Sequence, residues 1–135
     1  MSGFTITGGV SFSGAVSMSD APPPDNTAAW FGGGFNSTVG IIYSTVNRIT
    51  YANDTATASV RGPLNYYQGG KTGMGAAGNT YDGWFGGGAG HNGSLVFTTF
   101  SLVDRITYAT DTATAATRGP LTLARYGLAA AGGLQ

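Results

Sequence analysis

Apolar and polar side chains alternate in the same way along two stretches of the chain. In residues 45–51, Val46, Arg48 and Thr50 take one parity and Asn47, Ile49 and Tyr51 the other. Residues 102–108 repeat the pattern, with Val103, Arg105 and Thr107 set against Asp104, Ile106 and Tyr108. A period of two puts each set on one side of a β-strand, so one face holds Ile and Tyr. Around these strands a longer phrase recurs. Trp-Phe-Gly-Gly-Gly stands at 30–34 and 84–88, Arg-Ile-Thr-Tyr at 48–51 and 105–108, and Asp-Thr-Ala-Thr at 54–57 and 111–114. Arg-Gly-Pro-Leu closes each copy, at 61–64 and 118–121. Trp84 follows Trp30 by 54 residues and Arg118 follows Arg61 by 57, so three residues are inserted after the second glycine triplet. A repeat of this length belongs to blades, solenoid turns or arrays.

Four strands are predicted per unit. The first is the small-residue stretch 71–78, matched by 125–132; the second approaches the glycine triplet, at 81–85 and 28–31. The third is 45–51 and 102–108, and the fourth 55–60 and 112–117. Between third and fourth, Asn53-Asp54 and Thr110-Asp111 supply turn residues. Residues 1–19 stand outside the repeat. There Phe4, Ile6, Val10, Phe12 and Val16 fall on even positions among Ser, Thr and Gly, another period-two pattern. The prolines at 22–24 cannot donate ladder hydrogen bonds and favour a stiff, extended spacer. The expected organisation is an N-terminal β arm for attachment (1–19), a Pro-rich linker (20–26) and a repeat domain (27–135). Within that domain repeat one covers about 27–70 and repeat two about 71–124, followed by a C-terminal strand at 125–132.

Composition narrows the function classes. Five Arg and one Lys balance six Asp, with no Glu. A neutral chain with so few cations lacks the basic patch that nucleic acid or anionic lipid requires, so neither is an expected partner. With 24 Gly, long helices are disfavoured, since Gly costs about 1 kcal/mol against Ala inside one. Cys is absent, which excludes a disulfide framework and thiolate metal sites. No apolar run approaches the ~20 residues of a membrane helix, and the N-terminus lacks the pattern of a secretory signal. A soluble all-β chain is expected, with no cofactor and no metal.

Four strands per unit of this size is the plan of a β-propeller blade. The residues resemble the kelch-type blade in particular. That family has a basic residue ahead of its first strand, an aromatic second strand ending in Gly-Gly, and a short strand with an Arg-hydrophobic-Tyr core. The matching positions are Arg125 (or Lys71), Trp84-Phe85-Gly86-Gly87, and Arg105-Ile106-Thr107-Tyr108. The fourth strand departs from it, carrying Thr and Ala where a kelch blade has Trp. The resemblance implies that Trp30, Phe31, Tyr51, Trp84, Phe85 and Tyr108, with Arg48 and Arg105, pack between blades, while the Gly and Ala of strand one lie near the axis.

Propellers need about four to eight blades to close, and this chain carries two. Its strands run two-three-four, one-two-three-four, one, which leaves the first unit without its innermost strand. The expected remedy is head-to-tail homo-oligomerisation, a trimer of six blades being favoured over a tetramer of eight. The subunit seam is then Ala28, Ala29 and Trp30 of one chain against Leu128, Ala129, Ala130 and Ala131 of another.

Candidate chemistry is thin. His91, the single histidine, reads as a turn residue or loop-tip ligand contact, and no acid–base or nucleophile motif accompanies it. The glycine triplets lack the Lys-Ser/Thr and helix of a phosphate loop and read as turns at the unit edge. Phe97, Phe100 and Tyr126, with His91, are the candidate ligand loops, for stacking on sugar rings. No enzyme activity is expected. The repeat phrase also resembles kelch-like repeats in structural proteins of tailed bacteriophages, marine cyanobacterial ones included. That resemblance implies a non-enzymatic virion component, assembled in the host cytoplasm, decorating a head or tail and attached to other virion proteins through the arm. The alternatives are a multivalent adhesin binding surface glycan and a subunit of an extracellular filament.

Overall fold

A computed structural model describes residues 27–65, 69–91 and 96–133. The arm residues Phe4, Ile6, Val10, Phe12 and Val16 and the Pro-rich linker lie outside them. The chain is all-β: the described residues form three small antiparallel sheets, none of them closed. No helix among the described residues is long and apolar enough to cross a membrane.

Unit one is a three-stranded sheet in the order β1 (Ala28–Asn36), β2 (Ile41–Thr50), β3 (Ser59–Arg61). β1 and β2 form a long hairpin whose turn is closed by Asn36: its Oδ1 accepts from the Thr38 N–H at 3.0 Å and its carbonyl from the Gly40 N–H at 2.9 Å. The first glycine triplet is not an edge turn. It lies inside β1, where the register shifts between Gly32 and Gly34. Gly33, at φ 68°, sits in the left-handed region that admits glycine cheaply, so the triplet builds a bulge.

Unit two is four-stranded, in the order β4 (Gly75–Gly78), β5 (Asp82–Gly86), β8 (Val103–Thr107), β9 (Ala116–Arg118). Asn79 turns the chain from β4 into β5, its Oδ1 accepting from the N–H groups of Tyr81 and Asp82, both at 2.8 Å. Here the second triplet separates β5 from a small hairpin, β6 (Ala89–His91) with β7 (Phe97–Thr99), which the strand patterns did not anticipate. The three extra residues of unit two fall between the triplet and β8, where unit one has the long hairpin of β1 and β2.

Strand three ends one residue before its pattern in both units, although β2 starts earlier than expected, and strand four starts late in both. Tyr51 and Tyr108 each leave the strand as the first residue of a 3₁₀ turn, and the fourth strands begin only at Ser59 and Ala116. Asp54 and Asp111 cap those turns in the αR region, consistent with Asp favouring turns over ladders. Residues 125–132, expected as a strand, form no strand within the single chain. A strand requires a neighbour to bond, and Ala129–Gly133 are exposed.

The core lies between the units. Val46 and Leu64 of unit one meet Phe85, Ile106 and Ala115 of unit two, all buried, with Trp30, Met74 and Tyr108 packed around them. Full burial of each Val, Leu, Ile or Phe contributes about 1.5–3 kcal/mol. Gly32 makes room for this packing: a Cβ there would lie 2.9 Å from Cε1 of Phe85.

Candidate assembly interface

Around that apolar core the two units are joined by a polar clamp centred on Asp111. The Trp30 indole Nε1–H donates to Asp111 Oδ2 at 2.9 Å, and Arg48 Nη1 donates to the same oxygen at 3.2 Å. Arg61 Nε lies 3.3 Å from it, within ion-pair distance although its N–H is not aligned for a hydrogen bond. The Trp30 ring stacks on Tyr108 with centroids 3.9 Å apart and planes 9° from parallel. Backbone bonds continue the joint: Gly62 N–H donates to Asp111 O and Ala115 N–H to Pro63 O, both at 2.8 Å. Gly62 is required by this approach, because a Cβ there would collide with the Ala113 carbonyl. Burial raises the pKa of Tyr108, with the negative charge of Asp82 adding to it.

A second anchor sits at Lys71. Its ammonium donates to Asp104 Oδ2 at 2.7 Å with both side chains buried, and lies 6.0 Å from the Phe100 ring centroid. Burial pushes the Asp104 carboxyl above its ordinary range, opposed by the hydrogen bond and charge of Lys71. The Lys71 backbone clasps unit one in both directions, its N–H donating to Tyr43 O at 3.0 Å and its carbonyl accepting from Gly34 N–H at 2.8 Å.

The residues after β9 repeat that clasp on unit two. Arg125 O accepts from Gly88 N–H at 2.8 Å, and Arg125 N–H donates to Phe100 O at 3.3 Å. Leu121 N–H donates to Ser101 O at 2.7 Å, as Leu64 N–H does to Ser44 O at 2.8 Å. All five positions correspond through the repeat, Arg125 to Lys71, Gly88 to Gly34, Phe100 to Tyr43, Leu121 to Leu64 and Ser101 to Ser44. Leu121 and Arg125 therefore dock on unit two as Leu64 and Lys71 dock on unit one. Leu128 and Ala130 then lie against Gly75, whose absent side chain leaves them space.

Of the residues read as packing between blades, Trp30, Arg48, Phe85 and Tyr108 meet at this joint. Their repeat counterparts do not. Phe31 and Tyr51 are 57% and 55% exposed, while Trp84 and Arg105 are half-buried. Arg105 Nε is 3.6 Å from Asp82 Oδ1. Of the expected seam residues, Ala28, Ala29 and Trp30 line a cavity of about 380 Å³ along the free edge of β1, opposite Ala76, Ala77 and Gly78. Leu128 and Ala130 lie against Gly75 of β4, while Gly132, close to the Gly78 carbonyl, and Gly133 line the same cavity as Ala28–Trp30.

The candidate ligand residues are not gathered. His91 on β6 meets Phe97 on β7 edge-on at 5.8 Å, Phe100 lies over Lys71, and Tyr126 is exposed beside Gly73. None of the four lines the cavity at β1. Asp111, Lys71 and Asp104 were not singled out from the sequence as holding the units together. Asp111 had a usable signal, since an Asp stands at the same turn position in both copies and each copy carries two Arg.

Compared with known proteins, the sequence matches no family model and no curated protein, so its likeness to kelch blades and phage repeats rests on the residues quoted above.

Proposed function

We propose that the chain is a non-enzymatic building block that assembles head-to-tail with copies of itself, each copy contributing two propeller blades. One observation carries this reading: the joint between units one and two is built once inside the chain, and its two halves recur, unjoined, on the outer faces. Val103, Leu121 and Leu128 on unit two stand where Val46, Leu64 and Met74 stand at the built joint, and all three are only half-buried. Phe31, Ile49 and Ala58 on unit one stand where Phe85, Ile106 and Ala115 do.

The sheet edges are complementary too. β4 pairs with β5 in the register Gly75↔Gly86, Ala76↔Phe85, Ala77↔Trp84, Gly78↔Gly83. Carried through the repeat, Ala129, Ala130, Ala131 and Gly132 face Gly32, Phe31, Trp30 and Ala29 of the partner subunit and enter the cavity along its β1. An open edge is a template for such strand addition.

The setting we favour is a virion, with three copies closing a six-bladed ring on a head or tail and residues 1–19 attaching it to other virion proteins. The native mass at increasing concentration, by light scattering, tests the assembly. A discrete trimer or tetramer supports a closed ring, an unbounded mass series supports the filament, and a single-chain mass throughout overturns self-assembly. Deletion of residues 2–19 is expected to leave the oligomer intact and abolish attachment to virions.

A second reading, a multivalent glycan-binding adhesin, is favoured by the exposed Phe97 beside His91 on the β6–β7 hairpin. Glycan-array binding that Phe97→Ala abolishes without altering the native mass would support it.

A further inference from the structure

The built joint contains a polar clamp as well as an apolar core, and the clamp also has an unjoined copy. Through the repeat, Trp30, Arg48, Arg61 and Asp111 correspond to Trp84, Arg105, Arg118 and Asp54. Resting on the head-to-tail reading, we infer that Asp54 is the docking residue of the chain: its carboxylate enters a pocket formed by Trp84, Arg105 and Arg118 of the partner subunit.

Three observations support the assignment. Asp54 and Arg118 are exposed and, among the described residues, neither has an ion-pair partner. Asp54 is nevertheless held in the same conformation as Asp111, each in the αR region directly after a 3₁₀ turn, at φ −75° and −67°. The acceptor is thus preorganised before any donor arrives, which lowers the ordering cost of association. Finally, Tyr51 opens the turn ahead of Asp54 as Tyr108 opens the turn ahead of Asp111, and it is exposed. When Asp54 docks, Tyr51 of the partner subunit comes over the Trp84 ring, reproducing the stack of Trp30 on Tyr108.

The backbone bonds follow the same mapping. Gly119 N–H and the Pro120 carbonyl are exposed counterparts of the Gly62 and Pro63 groups that bond Asp111 and Ala115. They would meet Asp54 O and the Ala58 N–H of the partner subunit. Among the described residues, nothing lies within 4 Å of where a Cβ on Gly119 would stand, whereas Gly62 is pressed against residues 112 and 113. The space that a neighbour fills at Gly62 is open at Gly119.

One difference separates the two clamps. Asp82 lies beside Arg105, and its counterpart in unit one is Ala28. Arg105 therefore has a carboxylate within its own chain, whereas Arg118 has none among the described residues. Docking brings Asp54 to two guanidiniums and one indole N–H, with Asp82 balancing the second cation. Of the two Arg, Arg118 depends more on the incoming Asp54 and is the cleaner reporter.

The test is the concentration of half-association, measured by sedimentation velocity on the full chain, for the unaltered protein, Asp54→Ala and Arg118→Ala. Each variant is expected to raise it roughly tenfold or more, the scale of removing a charged hydrogen-bond partner. The melting of dilute single chains should stay unchanged, because neither side chain has an ion pair to lose there. If the unaltered protein associates and both variants associate equally well, the Asp54 assignment is overturned while strand addition stands. A protein that remains a single chain at every concentration overturns both.

Discussion

Phe85 and Phe31 occupy the same place in the repeat, yet Phe85 is 4% exposed and Phe31 57%. Trp30 and Trp84 form a similar pair, one stacked on a Tyr ring and bonded to a carboxylate, the other without that stack. What distinguishes them is only whether a second unit lies against the face that each helps to form. The lesson is that this sequence writes one interface twice but completes it once within the chain. Burial here belongs to the joint between units and not to the residue type.

Substitutions at paired positions sharpen that contrast. The largest effect is expected at Phe85: Phe85→Ala should cost the single chain about 3–5 kcal/mol of stability. Phe31→Ala should leave the denaturant midpoint of the dilute chain nearly unmoved and instead weaken association. Equal losses of stability from both would contradict the idea of one built and one open joint.

Lys71 comes next. Lys71→Met leaves the Asp104 carboxylate buried without its partner, a change worth about 3–5 kcal/mol. Lys71→Met combined with Asp104→Leu should recover most of that loss in urea unfolding, since an apolar pair of similar volume avoids desolvating two charges. Arg125→Met, the change at the repeat position on the outer edge, should have little effect on the isolated chain.

A smaller loss, about 1.5–3 kcal/mol, is expected from Asp111→Ala, which removes the acceptor shared by Trp30 and Arg48. Thermal melts of Asp111→Ala and Asp54→Ala under dilute conditions check it: only the first should fall.

The smallest effect is in pH. The Tyr108 pKa is raised above its ordinary 10.0 by burial, so its ionisation is resisted by the folded state. The stability that its neutral form contributes is complete below pH 10 and declines as the pH climbs past that value toward the raised pKa. Alkaline unfolding followed by intrinsic fluorescence should therefore show a decline above pH 10 that Tyr108→Phe flattens. An identical alkaline decline in Tyr108→Phe would assign it to another group.

Much of this architecture is legible in the sequence. The period-two alternation located β2 and β8, the internal repeat located β1 and β5, and the stretch of Gly and Ala located β4, while the patterns for β3 and β9 overlap the observed strands by only two residues each. The repeated Arg and Trp pointed to packing between units. Less legible were the ends of strands. Tyr51 and Tyr108 continue the alternation, but local Asn and Asp turn them into 3₁₀ structure that no side-chain period reveals. The two glycine triplets looked alike, yet one is a bulge inside a continuous strand and the other divides two sheets. The two copies diverge in sequence between the triplet and strand three, and it is there that the two arrangements part.

Written into the chain itself were the all-β class, the phase of the repeat, and the pairing of each residue with a counterpart 54 or 57 positions away. Those are local and periodic properties, and a linear pattern carries them. Tertiary structure alone decided that Asp111 gathers Trp30, Arg48 and Arg61, that Lys71 is buried against Asp104, and that Leu121 and Arg125 bond unit two as Leu64 and Lys71 bond unit one. Each joins residues far apart in sequence, and hydrogen-bond distance depends on how two sheets face one another, which no spacing along a single strand encodes.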